Sequence, residues 1–357
     1  VGHSSPVVWG DRVFVVSCLL DSEDRVLIAL DRKTGKQIWQ RAVFKAPLEK
    51  KHNLNSYASG TPCTDGELIY VTFLQPDFGS KTERTPGDMI VAAYDFSGEL
   101  KWTVKPGRFA SVHGFCSSPV LFENLLIVNG DHDGDSYLVA LDRRTGEKKW
   151  QVARENKTRS YCTPLIREVA GKTQMVMSGS KSVVSYDPRT GEKHWWIKGP
   201  TEQFVASMVY NGKYFFMTAG FPEYHIMAIK PDGKGDVTDT HIVWRDTKPA
   251  SYVPSPILIG DYYFVAGDAG IVGCFDTETG KRHWMERLGK HYSASLTTAN
   301  GLLYLVADDG ITKVIKPGPK LEVVAENELG EYSYASPAMS QGQLFIRGEQ
   351  NLYCIGK

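Results

Sequence analysis

The chain is 357 residues long, enough for two ordinary domains or one large one. Its 41 Lys and Arg balance 41 Asp and Glu, so the net charge is zero, which removes the broad electrostatic case for a nucleic-acid or anionic-membrane partner. Hydrophobic residues make up 42% and charged residues 23%, so disorder is excluded, and no apolar run approaches the roughly 18 residues that span a bilayer.

Read from the N-terminus, two phrases recur. The first is a hydroxyl residue, mostly followed by proline: Ser5-Pro6, Thr61-Pro62, Ser118-Pro119, Thr163-Pro164, Ser207-Met208, Ser255-Pro256, Ser295-Leu296 and Ser336-Pro337. The eight starts are 40 to 57 residues apart. Two short runs rich in β-branched and aromatic residues follow each start, for example 12–16 and 26–30, or 125–128 and 137–141. Bounded by Gly, Asp and Asn, such runs are strands.

The second phrase is a turn with a tryptophan four residues beyond its glycine. It runs Asp31 to Gly35 and Trp39, Asp95 to Gly98 and Trp102, Asp142 to Gly146 and Trp150, Asp187 to Gly191 and Trp195, Asp276 to Gly280 and Trp284. A degraded copy, Lys230 to Gly233, reaches Trp244 after an insertion. The aspartate accepts backbone N–H bonds and the glycine supplies positive φ, which defines a tight turn from a third strand to a fourth.

Each unit is thus four antiparallel strands, A to D. A sheet of about 45 residues cannot bury both faces alone, whereas radial repetition lets neighbours cover each other. The sequence predicts an all-β, eight-bladed β-propeller spanning residues 1–357 as a single domain. Its blades start near positions 3, 59, 116, 161, 205, 253, 293 and 334; a seven-bladed ring with a stray hairpin is the alternative. The eighth unit stops after its third strand. A three-stranded last blade is therefore expected, unless residues upstream of Val1 supply the fourth.

The Ala-x-Asp-x-x-Thr-Gly-x-x-x-Trp phrase resembles the tryptophan-docking motif of PQQ-type, quinoprotein-like propellers, over essentially the whole chain. That resemblance implies that Trp39, Trp102, Trp150, Trp195, Trp244 and Trp284 pack between neighbouring blades. Quinoprotein dehydrogenases of this kind hold PQQ against a vicinal-cysteine disulfide. Cys18, Cys63, Cys116, Cys162, Cys274 and Cys354 contain no such pair and no haem motif, so PQQ is not expected. The BamB-type branch of periplasmic scaffold proteins is the better likeness. It implies a non-catalytic, monomeric, periplasmic or extracellular propeller that binds a protein or glycan through its loops.

A propeller brings its D-to-A and B-to-C connections to one face. The candidate ligand-binding residues there are His3, Tyr57, His113, Asp131, His132, Arg159, Tyr161, Tyr252, His291 and Tyr332, together with long insertions near 44–56 and 75–88. Tyr, His, Arg and carboxylates can stack on and hydrogen-bond a sugar, a quinone or a peptide. The run from Asp131 to Asp135 resembles an oxygen-rich Ca²⁺ loop, but Gly134 stands at its fourth position rather than its sixth, so a plain turn is the simpler reading. His3, His113, His132 and His291 would have to converge from different blades to hold a transition metal. No catalytic residue and no metal ligand is assigned. A quinone-linked oxidoreductase, or a carbohydrate-active enzyme with its site in the funnel, is the alternative function.

Overall fold

In the computed structural model, which describes residues 1–79 and 82–356, the chain forms eight antiparallel sheets and is an eight-bladed β-propeller. The last sheet has three strands, as the truncated eighth repeat requires. Each strand A begins two residues after the recurrent Ser or Thr. The chain divides into two compact units, residues 1–159 with 338–357, and residues 160–337.

In the first unit, blade 1 comprises Val7–Trp9, Arg12–Leu19, Asp24–Asp31 and Gln37–Lys45. Blade 2 is Cys63–Thr64, Leu68–Pro76, Gly87–Asp95 and Leu100–Val104, with Arg108–Phe109 pairing beside its third strand. Blade 3 is Val120–Phe122, Leu125–Gly130, Tyr137–Asp142 and Lys148–Ala153, and blade 8 is Ala338–Ser340, Gln343–Arg347 and Leu352–Gly356. In the second unit, blade 4 is Leu165–Val169, Lys172–Gly179, Ser182–Tyr186 and Lys193–Lys198. Blade 5 is Val209–Tyr210, Phe215–Ala219, His225–Ile229 and Ile242–Asp246. Blade 6 is Ile257–Ile259, Tyr262–Ala266, Ile271–Asp276 and Arg282–Arg287, and blade 7 is Thr297–Ala299, Leu302–Val306, Ile311–Lys316 and Glu322–Glu328.

Strands B and C are mostly buried on both faces because both are covered; strand C of blade 8, Leu352–Gly356, is the exception. Phe14, Val16, Leu27, Ile69, Val71 and Phe73 form one core cluster between blades 1 and 2. Phe264, Val272, Leu303 and Ile315 do the same between blades 6 and 7. Burying such side chains contributes about 1.5–3 kcal/mol each, and this is the main force joining the sheets.

Two directional couplings add to it. The recurrent hydroxyls form a belt: the Ser5 N–H donates to Thr61 Oγ1 at 3.0 Å and the Thr61 N–H to Ser118 Oγ at 2.9 Å. In the second unit the same bond links Thr163 to Ser207, Ser207 to Ser255, Ser255 to Ser295 and Ser295 to Ser336, at 2.9–3.0 Å. The second coupling is the indole. Trp39, Trp102 and Trp244 donate Nε1–H to the carbonyls of Phe96, Arg143 and Thr277, each the residue after the turn aspartate of the next blade, at 2.9–3.1 Å. Each indole also lies on that blade's turn glycine, so a Cβ on Gly98, Gly146 or Gly280 would come within 2.9 Å of it. Trp284 reaches the Gly318 carbonyl in the same manner. Trp150 pairs opposite Ala140 in blade 3 and is half-buried.

Trp195 departs from the rule. It is fully buried and donates to Gln174 Oε1 at 2.8 Å; Gln174 in turn donates from Nε2 to the Pro231 carbonyl at 2.7 Å. An amide relay thus stands between the indole and the carbonyl that its counterparts reach directly. The insertion after Pro231 folds back, and Gly235–Asp236 pairs in parallel with Trp195 and Trp196 as a fifth strand of blade 4. Between blades 8 and 1, arginines replace the indole. Arg32 donates to Ser340 O, Gln341 Oε1 and Gln343 Oε1 at 2.7–3.1 Å, and the buried Arg347 donates to Ser4 O, Ser4 Oγ and Val16 O at 2.6–3.1 Å.

Candidate functional site

In the first unit the 44–56 insertion is pinned from below by Arg25, a charged residue beside the apolar run from Val26 to Leu30. Arg25 is fully buried between the rings of Phe44 and Tyr57 and donates to the carbonyls of Glu23, Ala46 and Pro47. Its remaining bond, at 2.6 Å, goes to Glu49, which is also buried. Such a pair costs much desolvation, which its hydrogen bonds offset although Arg25 Nε has no partner; the pair fixes where the loop goes. Thr85 Oγ1 accepts the Lys50 N–H at 3.0 Å and ties the second insertion to the first. Between them lies a cleft of about 550 Å³, lined by Glu49, Lys50, Lys51, Asn53, Tyr57, Glu83 and Val112. The Lys51 ammonium stands 5.0 Å over the Tyr57 ring, and burial lowers its pKa.

Three predicted residues meet around this insertion. His3 Nδ1–H donates to the Leu54 carbonyl at 3.2 Å, and its backbone N–H donates to Ser56 Oγ. Burial, and then the Arg347 guanidinium, push its pKa from 6.5 down to about 4, so His3 is neutral at physiological pH. The carbonyl of His113 accepts from Asn55 Nδ2 at 2.7 Å, while its ring meets His52 edge-on at 5.6 Å. Tyr57 lies in the cleft wall itself.

Asp131, His132 and Arg159 do not join them. Asp131 is fully buried and takes a two-point ion pair from Arg154, at 2.9 and 3.1 Å. His132 is buried against the rings of Phe109 and Tyr137, with Nε2 3.2 Å from the Asp135 carbonyl, and burial lowers its pKa. Arg159 pairs with Asp133 at 2.7 Å and Lys157 with Asp135 at 2.6 Å. The three carboxylates of the run from Asp131 to Asp135 therefore face three different cations instead of one centre, and the plain-turn reading describes it. Among the described residues no three His, Cys, Asp or Glu side chains are grouped to hold a metal ion.

In the second unit the loop carboxylates act as clamps. Asp268 accepts the N–H groups of Tyr252 and Val253, both at 2.9 Å, and burial raises its pKa. Asp308 accepts from the N–H and hydroxyl of Ser293 at 2.7 and 2.9 Å and from His291 Nδ1 at 2.6 Å. Each aspartate thus fastens the connection entering its own blade. The Tyr252 hydroxyl donates to Gln203 Oε1, Tyr161 is buried, and Tyr332 lies parallel to Tyr334, ring centroids 6.4 Å apart. Sequence reasoning missed Arg25, Glu49 and Lys51. The isolated arginine beside Val26 and Leu27 was the available signal for the first.

The connections also carry exposed apolar side chains. Phe221 (50% exposed), Tyr224 (49%) and Tyr332 (55%) are on loops of the second unit, and Leu54 and Phe78 on the insertions of the first. Among the described residues no helix is long and apolar enough to cross a membrane.

Repeated Asp-turn-Gly-Trp blades with clamped loop carboxylates define a propeller of the PQQ-repeat class. The family described as "Outer membrane protein assembly factor BamB" matches residues 1–77, 23–273 and 236–316. The chain belongs to this family. A curated relative, outer membrane protein assembly factor BamB of Burkholderia pseudomallei (strain K96243), is 29% identical over 113 residues, which span 31% of this chain and only 29% of the relative's length. Among solved structures, BamB from Moraxella catarrhalis superposes with a TM-score of 0.66 at 12% identity, covering 98% of this chain and 92% of that one. Quinohemoprotein alcohol dehydrogenase from Comamonas testosteroni superposes with a TM-score of 0.68 at 12% identity, covering 96% and 70%. A BamB and a dehydrogenase match equally well, so these likenesses speak for the fold and leave function to the site.

Proposed function

We propose that the protein is a non-catalytic, extracytoplasmic scaffold, placed in the periplasm, that binds a protein partner through its connecting loops. The carrying observation is a division of labour in those loops. The groups able to do chemistry are paired off, Asp131 with Arg154, Asp133 with Arg159 and Asp308 with His291, while Phe221, Tyr224 and Tyr332 face solvent. Exposed aromatic side chains of limited flexibility are typical anchors of protein interfaces. Membership of a family described by an outer-membrane assembly factor supports the same reading and the compartment.

The test is site-specific photo-crosslinking from positions 221 and 332 in cells of the source organism, with identification of the adduct. Protein adducts are expected at both positions. Phe221→Ala and Tyr332→Ala should each weaken the captured partner by more than about 1 kcal/mol, with the melting temperature unchanged. A glycan adduct would replace the partner class. Saturable PQQ binding with dye reduction by an alcohol or aldose would overturn the scaffold reading.

A further inference from the structure

Two unfavourable features of the first unit support the same short stretch of chain. The Arg25–Glu49 pair is buried beneath the 44–56 insertion, and Glu49 immediately precedes Lys50 and Lys51. Thr85 is buried at φ +37°, a region that a β-branched residue occupies only under strain. Its hydroxyl accepts the Lys50 N–H, so the strained residue fixes the backbone between the two lysines and their buried anchor. Strain of this kind persists where the surrounding structure enforces it, and it gathers at places where position matters.

What this stretch presents to the cleft is a set of donors without acceptors. Among the described residues neither Lys50 nor Lys51 forms an ion pair, and Lys51 Nζ reaches only the His52 carbonyl, at 3.5 Å, besides the Tyr57 ring. The Asn53 side chain and the Tyr57 hydroxyl, also in the lining, make no hydrogen bond to the described chain. Of the two carboxylates there, Glu49 is taken by Arg25, which leaves Glu83 alone against two ammonium groups. Burial holds the Lys51 pKa below its ordinary value, with Glu49 only opposing the shift, as befits a cation that has no counter-charge of its own.

We propose that this cleft is a binding site for an anion that carries two carboxylates. The two lysines supply the charge, while the Asn53 amide and the Tyr57 hydroxyl supply the donors that fix orientation. A volume of about 550 Å³ accommodates a small dicarboxylic acid or two acidic side chains of a peptide. Ammonium groups are compact point charges and take separate carboxylates without demanding a planar, two-point fit. Phosphate is the poorer match: no arginine lines the cleft, and the described residues contain no helix whose N-terminus could face it.

The experiment titrates the full chain by calorimetry at low ionic strength with glutarate and with acetyl-Gly-Glu-Glu-Gly-amide. Inorganic phosphate and the Gln-Gln version of the peptide are the controls. At least one carboxylate probe should bind saturably, about tenfold or more tighter than its control, and the tighter of the two names the source as a free acid or an acidic peptide segment. Lys51→Met should weaken that binding about tenfold, and Lys51→Arg, which keeps the charge, should retain most of it. Because neither lysine is ion-paired, the methionine variants should keep the parent melting temperature, which separates lost binding from lost folding. Bound probe should also slow acetylation of Lys51 by acetic anhydride severalfold while leaving exposed Lys36 unaffected. Absence of saturation, equal binding of phosphate or of the Gln-Gln peptide, or unchanged affinity in both Lys50→Met and Lys51→Met overturns the proposal. Phe221 and Tyr332 belong to the other unit, and their alanine variants should leave this titration unchanged, so its outcome is separable from that of the loop-binding proposal.

Discussion

The Ser207 N–H donates to the hydroxyl of Ser255 at 2.9 Å, and the Ser255 N–H passes the same bond on to Ser295 at 3.0 Å. One side chain therefore accepts from the blade before it while its own backbone donates to the blade after it. Replacing Ser255 by alanine strands the Ser207 N–H at a part-buried joint and should cost about 1–2 kcal/mol, seen as a lower melting temperature. Ser255→Thr should restore most of it, because the Thr61 hydroxyl accepts in the same way in the same belt.

Gly35 and Gly280 separate backbone strain from docking. Both sit at φ +69°, so alanine at either carries the left-handed penalty of about 1 kcal/mol. Only Gly280→Ala also drives a methyl group into Trp244. It should destabilise by at least about 1 kcal/mol more than Gly35→Ala in paired denaturant titrations. Equal losses would deny the indole a part in that joint.

Trp102 is buried, lies tilted against the Tyr70 ring and donates to the Arg143 carbonyl, so Trp102→Ala should cost roughly 3–5 kcal/mol. Trp102→Phe keeps the ring but leaves the Arg143 carbonyl without its donor, and should lose about half as much.

His3 makes stability fall in mild acid. Its folded pKa of about 4 lies below the ordinary 6.5, so the unfolded chain takes up the proton first. The contribution is complete above about pH 6.5 and is lost as the pH falls from there toward 4. It amounts to roughly 2 kcal/mol after allowance for partial exposure. Buried His132 and His225, also lowered by burial, act with the same sign. His3→Gln should flatten the dependence of unfolding free energy on pH between 6.5 and 4.

Asp131 tests whether a loop carboxylate is structural. Asp131→Ala leaves Arg154 buried and without its two-point partner, which should cost about 3–5 kcal/mol. Partner binding by the surviving folded fraction should be unchanged.

The repeat was legible because its residues answer local demands. An aspartate that closes a turn on its own backbone, a glycine at positive φ and an indole at fixed spacing are properties of eleven consecutive residues. Eight blades and a three-stranded end follow from counting them. The burial of Asp131 and His132 was not legible for the opposite reason. A charged loop looks wet in sequence, and the partner that buries Asp131 is Arg154, 23 residues further on, beyond strands C and D. The Arg25–Glu49 pair, 24 residues apart, was hidden in the same way. The Trp195 relay was obscured because an insertion separates the degraded turn of blade 5 from its own tryptophan, and nothing local says that Gly235–Asp236 turns back onto blade 4.

That irregular joint has a consequence for assembly. Identical couplings carry no address: a blade offering a standard indole and a standard hydroxyl could settle beside any other blade offering a standard turn. The Trp195, Gln174 and Pro231 chain, capped by a parallel strand that only blade 5 can lend, fits a single pair of neighbours. Blades 4 and 5 thereby hold a key cut unlike the plain indole joints, from which a series of similar blades can take its order.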